Sequence, residues 1–82
     1  MHSVMMEGRA IGVLDGLPHD TARDEVLEVL ERVRERPEHY PRVPGPGARE
    51  RRQAFGDGCW LLYGVRDDAI EVHDIGWLEY AP

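Results

Sequence analysis

The chain has 82 residues, 41% of them hydrophobic, and its 16 acidic and 10 basic side chains leave a net charge of −6. That size allows one small globular domain over 1–82 and leaves no room for a cofactor domain beside a substrate domain. An acidic total argues against broad, charge-driven nucleic-acid binding while allowing a local basic patch.

His2 to Met6 reads as a short strand. In the following stretch Ala10, Leu14 and Leu17 share one helical face, but Gly8, Gly12 and Gly16 weaken a helix there, each by up to about 1 kcal/mol. Leu17-Pro18 closes the segment, because the residue before proline avoids the helical region. Residues 21–36 then carry the strongest helical signal. Asp20 or Thr21 serves as cap, with Asp24 three residues after Thr21 in an approximate capping box. Asp24 and Glu25 crowd the first turn and Arg32, Arg34 and Arg36 the last, matching the helix dipole. Ala22, Val26, Val29, Leu30 and Val33 form one apolar stripe. Pro37 stops the helix.

Residues 37–48 hold four of the six prolines and form a connector, either packed over the surface or functional. From residue 49 the period changes to two. Arg49, Arg51, Gln53 and Phe55 fall on one face of a strand, and Glu50, Arg52 and Ala54 on the other. Gly56-Asp57-Gly58 is a turn signal. Cys59 to Val65 and Ala69 to Ile75 are rich in strand formers, joined by Arg66-Asp67-Asp68 as a hairpin. Trp77 to Tyr80 reads as a last short strand. The expected fold is α+β, an antiparallel sheet of three to four strands packed against one or two N-terminal helices.

Charge is uneven along the chain. Residues 37–56 carry four arginines and two acids, while residues 57–82 carry one arginine and six acids. The single cysteine, Cys59, has no partner for an intramolecular disulfide, and its apolar strand suits a small buried residue. No apolar run approaches the ~20 residues that span a bilayer, so no membrane is expected. The N-terminus lacks the pattern of a signal peptide, which makes a cytoplasmic protein the expectation. His19 and His39 fall in loops, and no pair of histidines or carboxylates has metal-ligand spacing, so neither metal nor other cofactor is expected. A chain this short with no disulfide is expected to draw stability from a partner or a second copy.

From Ala10 to Tyr80 the order of these pieces resembles the RelE/ParE superfamily of toxins from bacterial type II toxin–antitoxin pairs. The resemblance is carried by Leu17-Pro18, the helix before Pro37, Pro44-Gly45-Pro46-Gly47, and Arg49-Glu50-Arg51-Arg52. It continues through Gly56-Asp57, Cys59-Trp60-Leu61-Leu62-Tyr63, Asp67-Asp68, Ile70-Glu71-Val72, and Gly76-Trp77-Leu78-Glu79-Tyr80. It implies an antitoxin-like protein partner, and in ribonuclease members of the family an mRNA endonuclease working at the ribosome. Such a site needs cations for the charge of the transition state and a proton donor or acceptor.

Several of the family's basic residues are replaced here. Trp60 stands where an arginine is expected, Trp77-Leu78 where the family has His-Arg, and the chain has no lysine. The catalytic candidates that remain are Arg49, Arg51, Arg52 and Tyr80, with RNA as substrate. The arginines also suit a charged strand edge that resists aggregation, and Tyr80 a docked chain end. His73 is a candidate substitute acid or base. Trp60 and Trp77 suit base stacking, a core, or a partner surface. The alternative to a toxin enzyme is a catalytically inactive binding module of the same fold, or a homodimer joined through a Trp60/Trp77 face or an exposed edge strand.

Overall fold

A computed structural model describes residues 2–45 and 50–78. Strand β1 (Ser3–Met6) leads into helix α1 (Gly8–Asp15) and then the longer helix α2 (Asp20–Glu35). A connector follows, then strands β2 (Arg52–Gly56), β3 (Cys59–Arg66) and β4 (Ala69–Trp77). The sheet order is β1-β4-β3-β2. The β2–β3 and β3–β4 pairs are antiparallel hairpins, and β1 lies parallel to β4 at one edge. A parallel neighbour needs a long crossover or a chain that returns to it late, and here both helices and two hairpins separate β1 from β4. The fold class is the expected α+β, with the fourth strand supplied by the N-terminus. The strand expected from Trp77 onward is instead the end of β4, which runs unbroken through Gly76, and residues 79–82 lie outside the described residues.

The stripe read from the sequence builds the core. Ala22, Val26, Val29, Leu30 and Val33 of α2 are buried against Ala54, Leu61, Tyr63, Ile70, Val72 and Ile75, joined by Ala10 of α1. Each fully buried aliphatic side chain of this kind contributes roughly 1.5–3 kcal/mol. Because all these residues but Ala22 form one cluster, the helices cover one face of the sheet, and among the described residues the other face carries no helix. Helix α2 is capped by His19 rather than by Asp20 or Thr21. His19 is extended, and its Nδ1 accepts from the Ala22 backbone N–H at 3.1 Å. An imidazole nitrogen there does the work of the usual carboxamide or hydroxyl oxygen. The Trp77 ring meets His19 edge-on, with centroids 6.0 Å apart.

The proline-rich connector packs over the surface. Val43 N–H donates to the Arg51 carbonyl at 2.8 Å and Gln53 N–H to the Pro41 carbonyl at 3.1 Å, so the connector lies along the outer edge of β2. Tyr40 meets the buried Tyr63 ring edge-on. The Tyr63 hydroxyl donates to the Pro37 carbonyl at 2.5 Å.

Cys59 is free and buried where β3 begins, and burial, with the Glu25 carboxylate beside it, pushes its thiol above the usual range. Thiol reagents therefore meet neither access nor thiolate. Labelling of the folded protein with a disulfide reagent is expected to run on the order of 100-fold or more slower than in denaturant. Equal rates would show that this end of β3 opens freely.

Candidate functional site

The helix-free face of the sheet is the candidate site. On β2 and just before it, alternation sends Arg52 and Ala54 toward the helices, and Arg51, Gln53 and Phe55 to the open side. Phe55 is 60% exposed and pairs across the strands with Trp60. Trp60 in turn lies over Gly76, its cross-strand partner on β4, where a β-carbon would fall inside the indole ring. Glycine at 76 is what lets the indole lie on the sheet. Trp77, one residue on, is partly buried on the helix side. The two tryptophans thus occupy opposite faces, and no single Trp60/Trp77 face exists for a homodimer to use.

Strand β4 contains a bulge. Leu62 pairs with Asp74 and Tyr63 with Val72, so His73 is the extra residue. The insertion explains why core positions step from Val72 to Ile75, and it turns His73 and Asp74 toward the open side, as bulges near functional sites do. The His73 Nδ1 lies 2.7 Å from an oxygen of Glu7. Glu7 precedes α1 at its N-cap position but makes no side-chain cap; its carboxylate goes to His73. Gly64 makes room for the imidazole, since a β-carbon there would come within 3.1 Å of Nε2.

Two hollows share His73. One, of about 260 Å³, is lined by Glu50, Gly64, Val65, Arg66, Glu71 and His73. The other, of about 270 Å³, is lined by Glu7, Arg9, Arg51, Leu62, His73 and Asp74. Most charges here are paired: Arg9 with Asp74 at 3.5 Å, Arg66 with Glu71 at 4.0 Å, and Glu7 with His73. Among the described residues, the Arg51 side chain has no ion-pair or hydrogen-bond partner.

The catalytic candidates do not share one setting. Arg51 lines an open-face hollow. Arg52 is turned away from it, and its side chain is only 13% exposed. Its guanidinium donates to the carbonyls of Glu38 at 3.0 Å and Tyr40 at 2.6 Å and pairs with Glu50. Arg49 and Tyr80 lie outside the described residues. Glu7 and Glu71 were missed in the sequence. Their only sequence signals are a carboxylate at a helix start and an acid in an otherwise apolar strand, and their convergence with His73 depends on the β1–β4 pairing.

No family model and no curated protein sequence matches the chain. Solved structures do. The chain superposes on the isolated E. coli RelE toxin with a TM-score of 0.77 and 20% identity, covering 99% of this chain and 88% of that one. It superposes on a chain of the intact E. coli RelBE toxin–antitoxin complex with a TM-score of 0.73 and 21% identity, covering 98% and 100%. A chain of the archaeal RelE–RelB complex from Pyrococcus horikoshii OT3 gives a TM-score of 0.71 at 18% identity, covering 98% of both. Two helices on one face of a four-stranded mixed sheet, matched along nearly the whole chain, give this protein the RelE-type fold.

Proposed function

We propose that this protein is the toxin-type subunit of a toxin–antitoxin pair, that it is held by an antitoxin-like protein, and that its open sheet face acts on RNA. The observation that supports this most is the superposition along nearly the whole chain, which includes RelE chains solved with and without RelB. On the open face, Arg51 is the group suited to a phosphate: a guanidinium free of other partners among the described residues, at the wall of a hollow. Arg49 and Tyr80 remain part of the proposed site as further contacts to the RNA. Trp60 and Phe55 offer ring faces to an unpaired base.

Expression of the protein alone is expected to arrest growth and deplete intact mRNA, and co-expression of a short neighbouring reading frame to reverse the arrest. Arg51→Ala should reduce cleavage by about 100-fold or more, the usual cost of one charge-stabilising donor. Normal growth with intact mRNA would overturn the enzyme reading.

The charge balance of this face favours a second reading. Around the two hollows Glu7, Glu71 and Asp74 equal Arg9, Arg51 and Arg66 in number, and the Glu50 carboxylate is held by Arg52, so the face offers RNA no net positive charge, which suits a non-catalytic domain that binds a protein. In that case the protein should still capture the antitoxin-like partner while mRNA stays intact.

A further inference from the structure

We propose that Glu7, Glu71 and His73 form a binding site for a divalent transition-metal ion on the open face of the sheet. One ligand-type atom from each of the three lies within 4.8 Å of the other two. One imidazole nitrogen and two carboxylate oxygens suit ions of the zinc, cobalt and manganese class, and three protein ligands leave positions open for water or a substrate oxygen.

Several features separate this cluster from a solvated acidic patch. The residues come from two places in the chain, brought together by the parallel β1–β4 pairing that sets Met6 opposite Val72, so that Glu7 follows alongside His73. The bulge at His73 and the bare Cα of Gly64 aim and accommodate the imidazole. The side chains of Glu71 and His73 are only 18% and 15% exposed. Glu71 and the imidazole thus form a partly desolvated floor, and Glu7, 56% exposed, closes over it from the solvent side. The cation nearest Glu71 is Arg66, 4.0 Å away on a side chain 65% exposed and able to swing clear. The 2.7 Å between Glu7 Oε1 and His73 Nδ1 is close to the ~3 Å edge of a coordination polyhedron built on bonds of about 2.0–2.1 Å. An ion entering there takes the Nδ1 lone pair and a Glu7 oxygen, and the single proton of the neutral imidazole then sits on Nε2.

The bound ion would add two positive charges to the face on which Trp60 stands where the resembled family has an arginine. The site itself stands apart from the RNA-directed reading and is tested without RNA.

The probe is Co²⁺, titrated into the full-length protein and followed by its visible absorption, with Zn²⁺ as competitor in calorimetry. One saturable site per chain is expected. Glu71→Gln and His73→Ala should each weaken it at least as much as the 10–100-fold that a lost supporting residue costs. His39→Ala, in the connector, should leave it unchanged. Circular dichroism checks that the variants fold, and Glu71→Gln, nearly the same in shape, keeps the test valid if His73→Ala does not. Absence of saturable Co²⁺ uptake, or uptake that Glu71→Gln leaves intact, would overturn the site. Uptake lost in these variants supports it whether or not the protein cleaves RNA.

Discussion

Arg52→Ala is expected to destabilise the protein by about 2–4 kcal/mol, enough to lower its melting temperature by roughly 10–20 °C in a domain this size. The reason lies in what one guanidinium holds. It donates to two connector carbonyls, those of Glu38 and Tyr40, and pairs with Glu50, which also meets Arg42 at 2.8 Å. Truncation leaves the Glu38 and Tyr40 carbonyls without this donor and leaves Glu50 with Arg42 alone, and hydrogen bonds to charged groups are among the stronger ones. The connector then loses its tie to β2, and the rigid packing of Tyr40 on Tyr63 should loosen with it. Lysine at 52 should recover only part of the loss, because a single ammonium lacks the planar fork that spans these acceptors. Arg51→Ala, one residue away and facing the other side, should change stability by no more than about 0.5 kcal/mol. Urea unfolding of the three variants reads this directly. Equal and small effects at 51 and 52 would mean that the connector holds without Arg52.

This neighbouring pair shows what was legible in the sequence. Alternation put Arg51 and Arg52 on opposite faces, which the structure bears out, but parity does not say which face the helices cover. That follows from Ala54 packing under α2, a tertiary fact. The α2 stripe was legible residue by residue because a 3.6-residue period over sixteen positions leaves little ambiguity. The two hairpins were legible from Gly56-Asp57-Gly58 and Asp67-Asp68, and both turns contain a left-handed residue, Gly58 and Asp67. The N-cap was misplaced because histidine is not among the usual capping residues. The parallel β1–β4 pairing had no local signal at all, and the convergence of Glu7 with His73 depends on it. The bulge did leave a trace, the step of three from Val72 to Ile75 where a regular strand would step by two. The opposed tryptophans follow from the register that pairs Trp60 with Gly76 and Trp77 with Cys59, which neither strand carries alone.

Tyr63 should give the protein a steep alkaline limit. Burial pushes its hydroxyl up to about 12, with Arg52 pulling the other way and Tyr40 and Glu50 adding to the rise. An unfolded tyrosine ionises near 10. Between these two values the unfolded chain has released a proton that the folded chain still holds, so stability falls as pH rises. The contribution is complete below about pH 10 and lost by about pH 12, and two units correspond to roughly 2–3 kcal/mol. Tyr63→Phe removes the titrating group and should flatten that part of the stability curve. It also removes the hydrogen bond to the Pro37 carbonyl, so near neutral pH it should cost about 1–2 kcal/mol. The two curves therefore approach each other as pH rises. Any alkaline slope from Cys59 is common to both proteins and cancels in the comparison. Arg52→Ala, by removing a cation that favours tyrosinate, should move the onset of tyrosinate absorbance to still higher pH in whatever fraction stays folded. An alkaline slope in Tyr63→Phe as steep as in the parent would mean that Tyr63 ionises as readily folded as unfolded. Its hydroxyl would then not be sealed against Pro37 in solution.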